Sequence, residues 1–257
     1  MRLATGLIPF MNPDLGAISV ILIVLIAFGS AVLHALAGFG GALVLAVGLS
    51  AVVNVKLAVP LTTVAMIISN IGRAWAFRRT IPWHTAAVIF VSSFPFIVLG
   101  ALLFINISEK LAQGLIGAYL LLTVPMRHVL VGRGIAVGKR GLAAAAVPYG
   151  LISGVYFGSG LVLAPFLIGA GILGERLVAL IAVLGLGLNL VKTIIFTGSP
   201  LLTGSTFLLG LAIGFCTIPG TYMGRSLLRI TPARVHAVIL EAIVVLSGLV
   251  FLYYALR

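Results

Sequence analysis

This sequence has very little acid. Asp14, Glu109, Glu175 and Glu241 are its four carboxylates in 257 residues. Charged residues of both signs make up 8% of the chain and hydrophobic ones 62%, with a mean hydropathy of +1.31. A soluble domain holds about 45–50% apolar and roughly 25% charged residues. No fold of this length can present a wetted surface from so few charges, so a soluble globular enzyme and a disordered chain are excluded. The single cysteine, Cys216, excludes an internal disulfide and a cysteine-based metal cluster. In its apolar run it reads as a small packing residue. A Walker A run, a G-x-S-x-G elbow and zinc-ligand spacing are all missing, and no two of the four histidines pair at metal spacing. No catalytic residue, metal or other cofactor is therefore expected.

Apolar length is what the sequence has. Ten segments stand out, at 16–37, 40–53, 58–77, 84–105, 111–126, 141–157, 160–173, 177–198, 203–224 and 235–256. At ~20 residues per crossing of a ~30 Å hydrocarbon core, the chain reads as an all-α integral membrane protein, a polytopic helical bundle in the lipid bilayer. Segments 40–53 and 160–173 hold 14 residues each. They cover ~21 Å at 1.5 Å per residue and fall short of a full span. Eight full spans plus two short or re-entrant helices are expected. The first run, 16–37, is longer than the apolar region of a signal peptide and follows Asp14, so it reads as a retained membrane segment.

The sixteen basic residues orient these segments. Arg78, Arg79, Arg127, Arg133, Lys139, Arg140, Arg176, Arg225, Arg229 and Arg234 fall on one side. Arg2, Lys56, Lys110 and Arg257 fall on the other, and Arg73 and Lys192 lie within segments. Basic loops stay in the cytoplasm, so both termini are expected outside. The net charge of +12 thus reports topology, not nucleic-acid binding, for which a basic-aromatic patch is missing. Nothing in the sequence specifies an oligomeric state.

The two halves match each other. Gly40 and Gly160 lie 120 residues apart, and Asn70-Ile71-Gly72-Arg73 and Asn189-Leu190-Val191-Lys192 repeat N-x-x-(R/K) at 119. Pro95 and Gly100 recur as Pro219 and Gly224 at 124. Five segments per half is an odd number, so the second half is expected to be inverted, as in many secondary transporters. The charges agree: the loop at 78–83 is basic and its counterpart at 198–203 uncharged. The domain reading is an N-terminal repeat over 1–128, a basic cytoplasmic linker over 129–140 and an inverted C-terminal repeat over 141–257.

Glycine breaks open both short segments, Gly38-Phe39-Gly40-Gly41 and Gly158-Ser159-Gly160. A helix that restarts inside a membrane exposes N–H groups and partial positive charge, which suits an anion. The glycines could instead only allow close helix packing, and that is the reading adopted for Gly6, Gly29 and Gly248. Asn70 and Asn189 are either ligand donors or interhelical glue. Arg73 and Lys192 either snorkel to opposite surfaces or attract the anion. Glu241, the one carboxylate well inside a segment, and His34, ahead of the first break, are proton-coupling candidates, with structural pairing the alternative. Glu109 and Glu175 read as first-turn acids.

These glycine breaks, the short apolar helices after them and the basic central loop resemble the TauE/SafE family of sulfite exporters over nearly the whole chain. The resemblance implies a bacterial cytoplasmic-membrane protein that moves sulfite, a sulfonate or another small anion. Combined with the repeat, it gives the expectation of an alternating-access carrier. Its substrate site would comprise Gly38, Gly40, Gly41, Asn70, Arg73, Gly158, Gly160, Asn189 and Lys192. An anion channel and a non-transporting membrane scaffold are the alternatives.

Overall fold

The computed structural model describes residues 16–37, 40–132, 137–157, 159–228 and 233–256. Gly38 and Gly158, named above as site residues, and Gly6 lie outside the described residues. Ten helices are present among those described: α1 Gly16–Ala37, α2 Gly41–Val52, α3 Val55–Ala76, α4 Trp83–Asn106, α5 Glu109–Gly132, α6 Lys139–Val155, α7 Gly160–Gly169, α8 Gly174–Thr197, α9 Gly204–Leu228 and α10 Ala233–Leu256. Each corresponds to one apolar segment. Four stretches are long and apolar enough to cross a membrane, Val55–Ala76, Trp83–Asn106, Gly174–Thr197 and Gly204–Gly224. Helices α1, α5 and α10 are of similar length, at 22, 24 and 24 residues. Helices α2 and α7 have only 12 and 10 residues. At 1.5 Å per residue that is ~18 and ~15 Å, about half a hydrocarbon core.

Helix α3 starts three residues ahead of the expected segment, because a polar cluster does not end it. Asn54 caps it, Oδ1 accepting from Leu57 N at 2.9 Å. Lys56 is then inside the first turn. Its Nζ donates to Phe104 O and, at 3.2 Å, to Ile105 O, carbonyls that the end of α4 leaves without helical partners. Glu109, a first-turn acid of α5 as expected, accepts from Val55 N at 3.2 Å. Three helix ends are thereby tied together by the charges that suggested a loop. Glu175 likewise lies in the first turn of α8.

The two sets of five helices are interlaced. Helix α1 packs on α9 and α6 on α4; α3 packs on α9 and α8 on α4; α1 packs on α2 and α6 on α7; α2 packs on α3 and α7 on α8. Exchanging each helix for the one five places along leaves these pairs unchanged, α3 with α8 and α5 with α10 map onto themselves, and the weaker α5–α7 contact maps onto α2–α10, while the minor α1–α10, α3–α5 and α6–α8 contacts have no counterpart of similar strength. The apolar clusters follow the same rule. One joins α1, α2 and α3 to Ile213 of α9. Another joins α6, α7 and α8 to Ala86, Ile89 and Ile97 of α4. Cys216 packs on the first of these, as a small apolar residue does.

Small residues make the crossings close, since helix association in lipid relies on packing rather than on a hydrophobic drive. At α4–α6 a Cβ added to Gly154 would stand 2.8 Å from Ala101 N and Gly100 Cα. At α5–α10 one added to Gly117 would stand 2.9 Å from Gly248 O, which bears out Gly248 as a packing glycine. Gly29 differs from expectation: a Cβ there meets nothing within 4 Å, so no neighbour requires its small size.

Candidate functional site

A cavity of about 80 Å³ lies where the first three helices of each half meet. At ~30 Å³ per liquid water, it has room for a molecule of a few heavy atoms. Helix α3 contributes Met66, Asn70 and Arg73, and α8 contributes Ile181, Gly185, Leu188 and Asn189. His34 comes from α1, Gly40 and Ala42 from the start of α2, Ser159, Gly160 and Leu163 from the start of α7, and Tyr149, Tyr156 and Phe157 from α6 and the residues that follow it. The pocket is lined by Arg73 and no carboxylate among the described residues.

Both short helices begin at this cavity, and neither start carries a side-chain cap. Gly40 precedes α2 with φ 104°, a left-handed conformation that side chains with a Cβ rarely adopt. Its carbonyl accepts from Val44 N at 2.9 Å, so the helix is in register from that residue on. The first N–H groups of such a helix have no partner within it. Ser159 precedes α7; its carbonyl accepts from Leu163 N at 3.1 Å and its Oγ is bonded to Ser153 Oγ. Two positive helix ends, one from each half, therefore border the same small space.

Its polar atoms are only partly used. Arg73 Nη2 donates to Asn70 Oδ1. Asn189 Oδ1, His34 Nδ1 and Tyr156 OH are buried and lack a hydrogen-bond partner. A buried polar group left in that condition costs about 1–3 kcal/mol, and all three belong to residues that line this one cavity. Gly185 stands one turn before Asn189, and a Cβ there would come within 2.9 Å of Asn70 Nδ2. The absent side chain gives the Asn70 amide its place.

Of the residues named from sequence, Gly40, Asn70, Arg73, Gly160, Asn189 and His34 are gathered at this cavity. Gly41 is not on its wall; a Cβ there would run into the His34 side chain, so its size sets the approach of α2 to α1. Arg73 and Lys192 do not snorkel: they are 8% and 0% exposed. The long stems are enclosed by neighbouring helices, which only the tertiary packing decides. Lys192 lies behind the wall, Nζ donating to Ser153 O at 3.1 Å and sitting 4.2 Å from the Phe157 ring centroid. Glu241 is half-buried on α10, away from the cavity lining.

Sequence reasoning missed Tyr149, Tyr156, Phe157, Met66 and Gly185. Tyr156 and Phe157 stand immediately before the second glycine break, and Met66 and Gly185 occupy equivalent positions one turn before the two asparagines. Both signals were in the chain, but aromatic and small residues are too common in an apolar sequence to stand out.

Searches of curated proteins and of solved structures return no match. A family profile described as Sulfite exporter TauE/SafE matches residues 22–251, a span that takes in both glycine breaks, both asparagines and all but the outermost turns of the bundle. The chain thus belongs to the TauE/SafE sulfite exporter family, a family of membrane transporters rather than enzymes.

Proposed function

We propose that this protein is a secondary carrier for a small sulfur-containing oxyanion such as sulfite, which binds in the cavity between α1–α3 and α6–α8. One observation carries the reading: two uncapped helix starts, Gly40 and Gly160, converge with Arg73 and Asn189 on one cavity whose described lining has no carboxylate. An oxyanion needs several donors and no competing negative charge. Helix N-termini and amides supply neutral donors, which hold an anion loosely enough to release it. Asn189→Ala should weaken sulfite binding roughly 10- to 150-fold, the equivalent of ~1.5–3 kcal/mol for a hydrogen bond to a charged group. Thermal stability should stay near that of the wild type, since the Asn189 Oδ1 has no partner to lose. Titration calorimetry with sulfite, paired with a melting curve, checks both. Normal binding by this variant places the anion elsewhere. Counterflow of sulfite in proteoliposomes is the test of a carrier, because a channel cannot exchange one anion for another against a gradient.

The architecture we propose for that carrier is two inverted repeats, 1–128 and 141–257, joined by a basic cytoplasmic linker, with both termini outside. The exchange rule in helix packing and the lopsided basic loops support it. Gly138 and Gly204 are exposed, with open space around them, and precede α6 and open α9 respectively. In a Cys216→Ala background, an impermeant thiol reagent on intact cells should label Gly204→Cys and spare Gly138→Cys. The reverse pattern would invert the whole orientation.

A further inference from the structure

This inference rests on the anion site just proposed. Asn70 and Arg73 on α3 hold the same spacing as Asn189 and Lys192 on α8, and the two helices cross each other. The two pairs are nevertheless built differently. Arg73 lines the cavity and donates to Asn70 Oδ1. Lys192 has turned from its asparagine to Ser153 O and the faces of Phe157 and Phe196, with centroids at 4.2 and 5.7 Å. Asn189 Oδ1, the atom equivalent to the one Arg73 uses, is buried and unpartnered. At this pair the symmetry is broken: an acceptor is without its donor, and the matching donor three residues away is on a different acceptor.

The hold on Lys192 is incomplete. An ammonium has three N–H donors. Here one carbonyl and two ring faces receive it, and no carboxylate is among its contacts in the described residues. Full burial of a cation on such terms is unfavourable inside a membrane unless the charge serves another purpose. The rings, however, are well suited to a temporary hold, since a cation–π contact contributes only about 0.5–2 kcal/mol.

We propose that Lys192 is a second anion-binding cation, withheld in the state seen here and engaged in the opposite state. In a carrier made of two inverted halves, the second state follows when each half takes up the arrangement of the other around a fixed site. Applied to these residues, Lys192 leaves Ser153 O and Phe157, donates to Asn189 Oδ1 and reaches the anion, while Arg73 withdraws from Asn70. The anion keeps one cationic partner at each end of the cycle. It never faces both at once, which would hold it too tightly to let go.

The test uses the purified full chain with sulfite as probe, measuring equilibrium binding in detergent and sulfite counterflow in proteoliposomes. Lys192→Gln keeps a donor for Ser153 O but removes the charge. Binding should change by less than about threefold, because Arg73 still holds the anion, while counterflow should fall about 10- to 150-fold, the loss of one charge-assisted contact in the opposite state. Lys192→Arg, which restores the charge and the reach, should recover counterflow; a purely structural role tied to the Ser153 bond would be met by glutamine and would not separate binding from exchange. Wild-type counterflow by Lys192→Gln overturns the proposal, as does a parallel fall in binding, which would put Lys192 on the anion already. Should Lys192→Gln not fold, Lys192→Arg decides: binding retained with counterflow lost overturns it, and both retained supports it. A wild-type protein that neither binds nor exchanges sulfite defeats the anion-site reading itself, whereas wild-type exchange that ignores Lys192 defeats only this one.

Discussion

Arg73→Met is expected to remove sulfite binding while the protein still folds. Arg73 is 8% exposed and is the charged residue on the cavity wall among the described residues. The two helix starts opposite it supply only about half an elementary charge each. Truncating one side of a buried, hydrogen-bonded charge pair costs about 3–5 kcal/mol, on the order of a hundredfold to several thousandfold in Kd. Methionine is chosen because its unbranched, adaptable side chain fills much of the space of the arginine stem. Arg73→Lys should fall between, keeping the charge but losing the planar fork of donors. Calorimetric titration with sulfite reads the effect, and a melting curve reports folding. Binding within a few-fold of wild type in Arg73→Met would move the anion away from α3 and with it the whole site.

Gly154→Val is expected to destabilise the bundle strongly. A Cβ at this position collides with Ile97 O and stands 2.8 Å from Ala101 N and Gly100 Cα. Those are backbone atoms of α4, so no side-chain rotamer can make room and the helices must separate. Overpacking a well-packed core costs about 1–3 kcal/mol where side chains can adjust. Here the cost should exceed that range, since Gly100 and Gly150 lie in the same crossing and lose their contacts together. The readout is the yield of monodisperse detergent-solubilised protein and its melting temperature. A protein that purifies and melts as the wild type does would mean that α4 and α6 do not cross this closely. Gly29→Val is the internal control: nothing lies within 4 Å of a Cβ there, and stability should be unchanged.

Much of the fold was legible because lipid imposes a simple rule on sequence. Each helix must satisfy its own backbone and be apolar over its length, so ten apolar runs become ten helices, and the two short ones are short in the structure. Boundaries were less legible where charge was mistaken for the end of a segment. Lys56 looked like a loop residue, yet it lies in the first turn of α3 because the free carbonyls at the end of α4 accept its ammonium. Glycines were the least legible. Gly29 and Gly248 were both read as packing glycines and Gly41 as a site residue, but Gly29 has open space, Gly41 admits His34 and Gly248 receives Gly117. A residue without a side chain reports nothing about its neighbour until the neighbour is in place.

Composition and periodicity by themselves determined that this is a helical membrane protein, where glycines interrupt its apolar runs, and that Asn70 with Arg73 and Asn189 with Lys192 share one spacing. These features depend only on hydropathy and spacing, which are local or strictly repetitive. Only the tertiary structure decided that the two sets of helices interlace, that Gly40, Gly160 and both asparagines border one cavity, and that the two cations differ. Arg73 faces the cavity and Lys192 is fastened behind it by Ser153 and Phe157. That difference is a matter of which surfaces enclose a long flexible stem, and helices far apart in the sequence supply those surfaces.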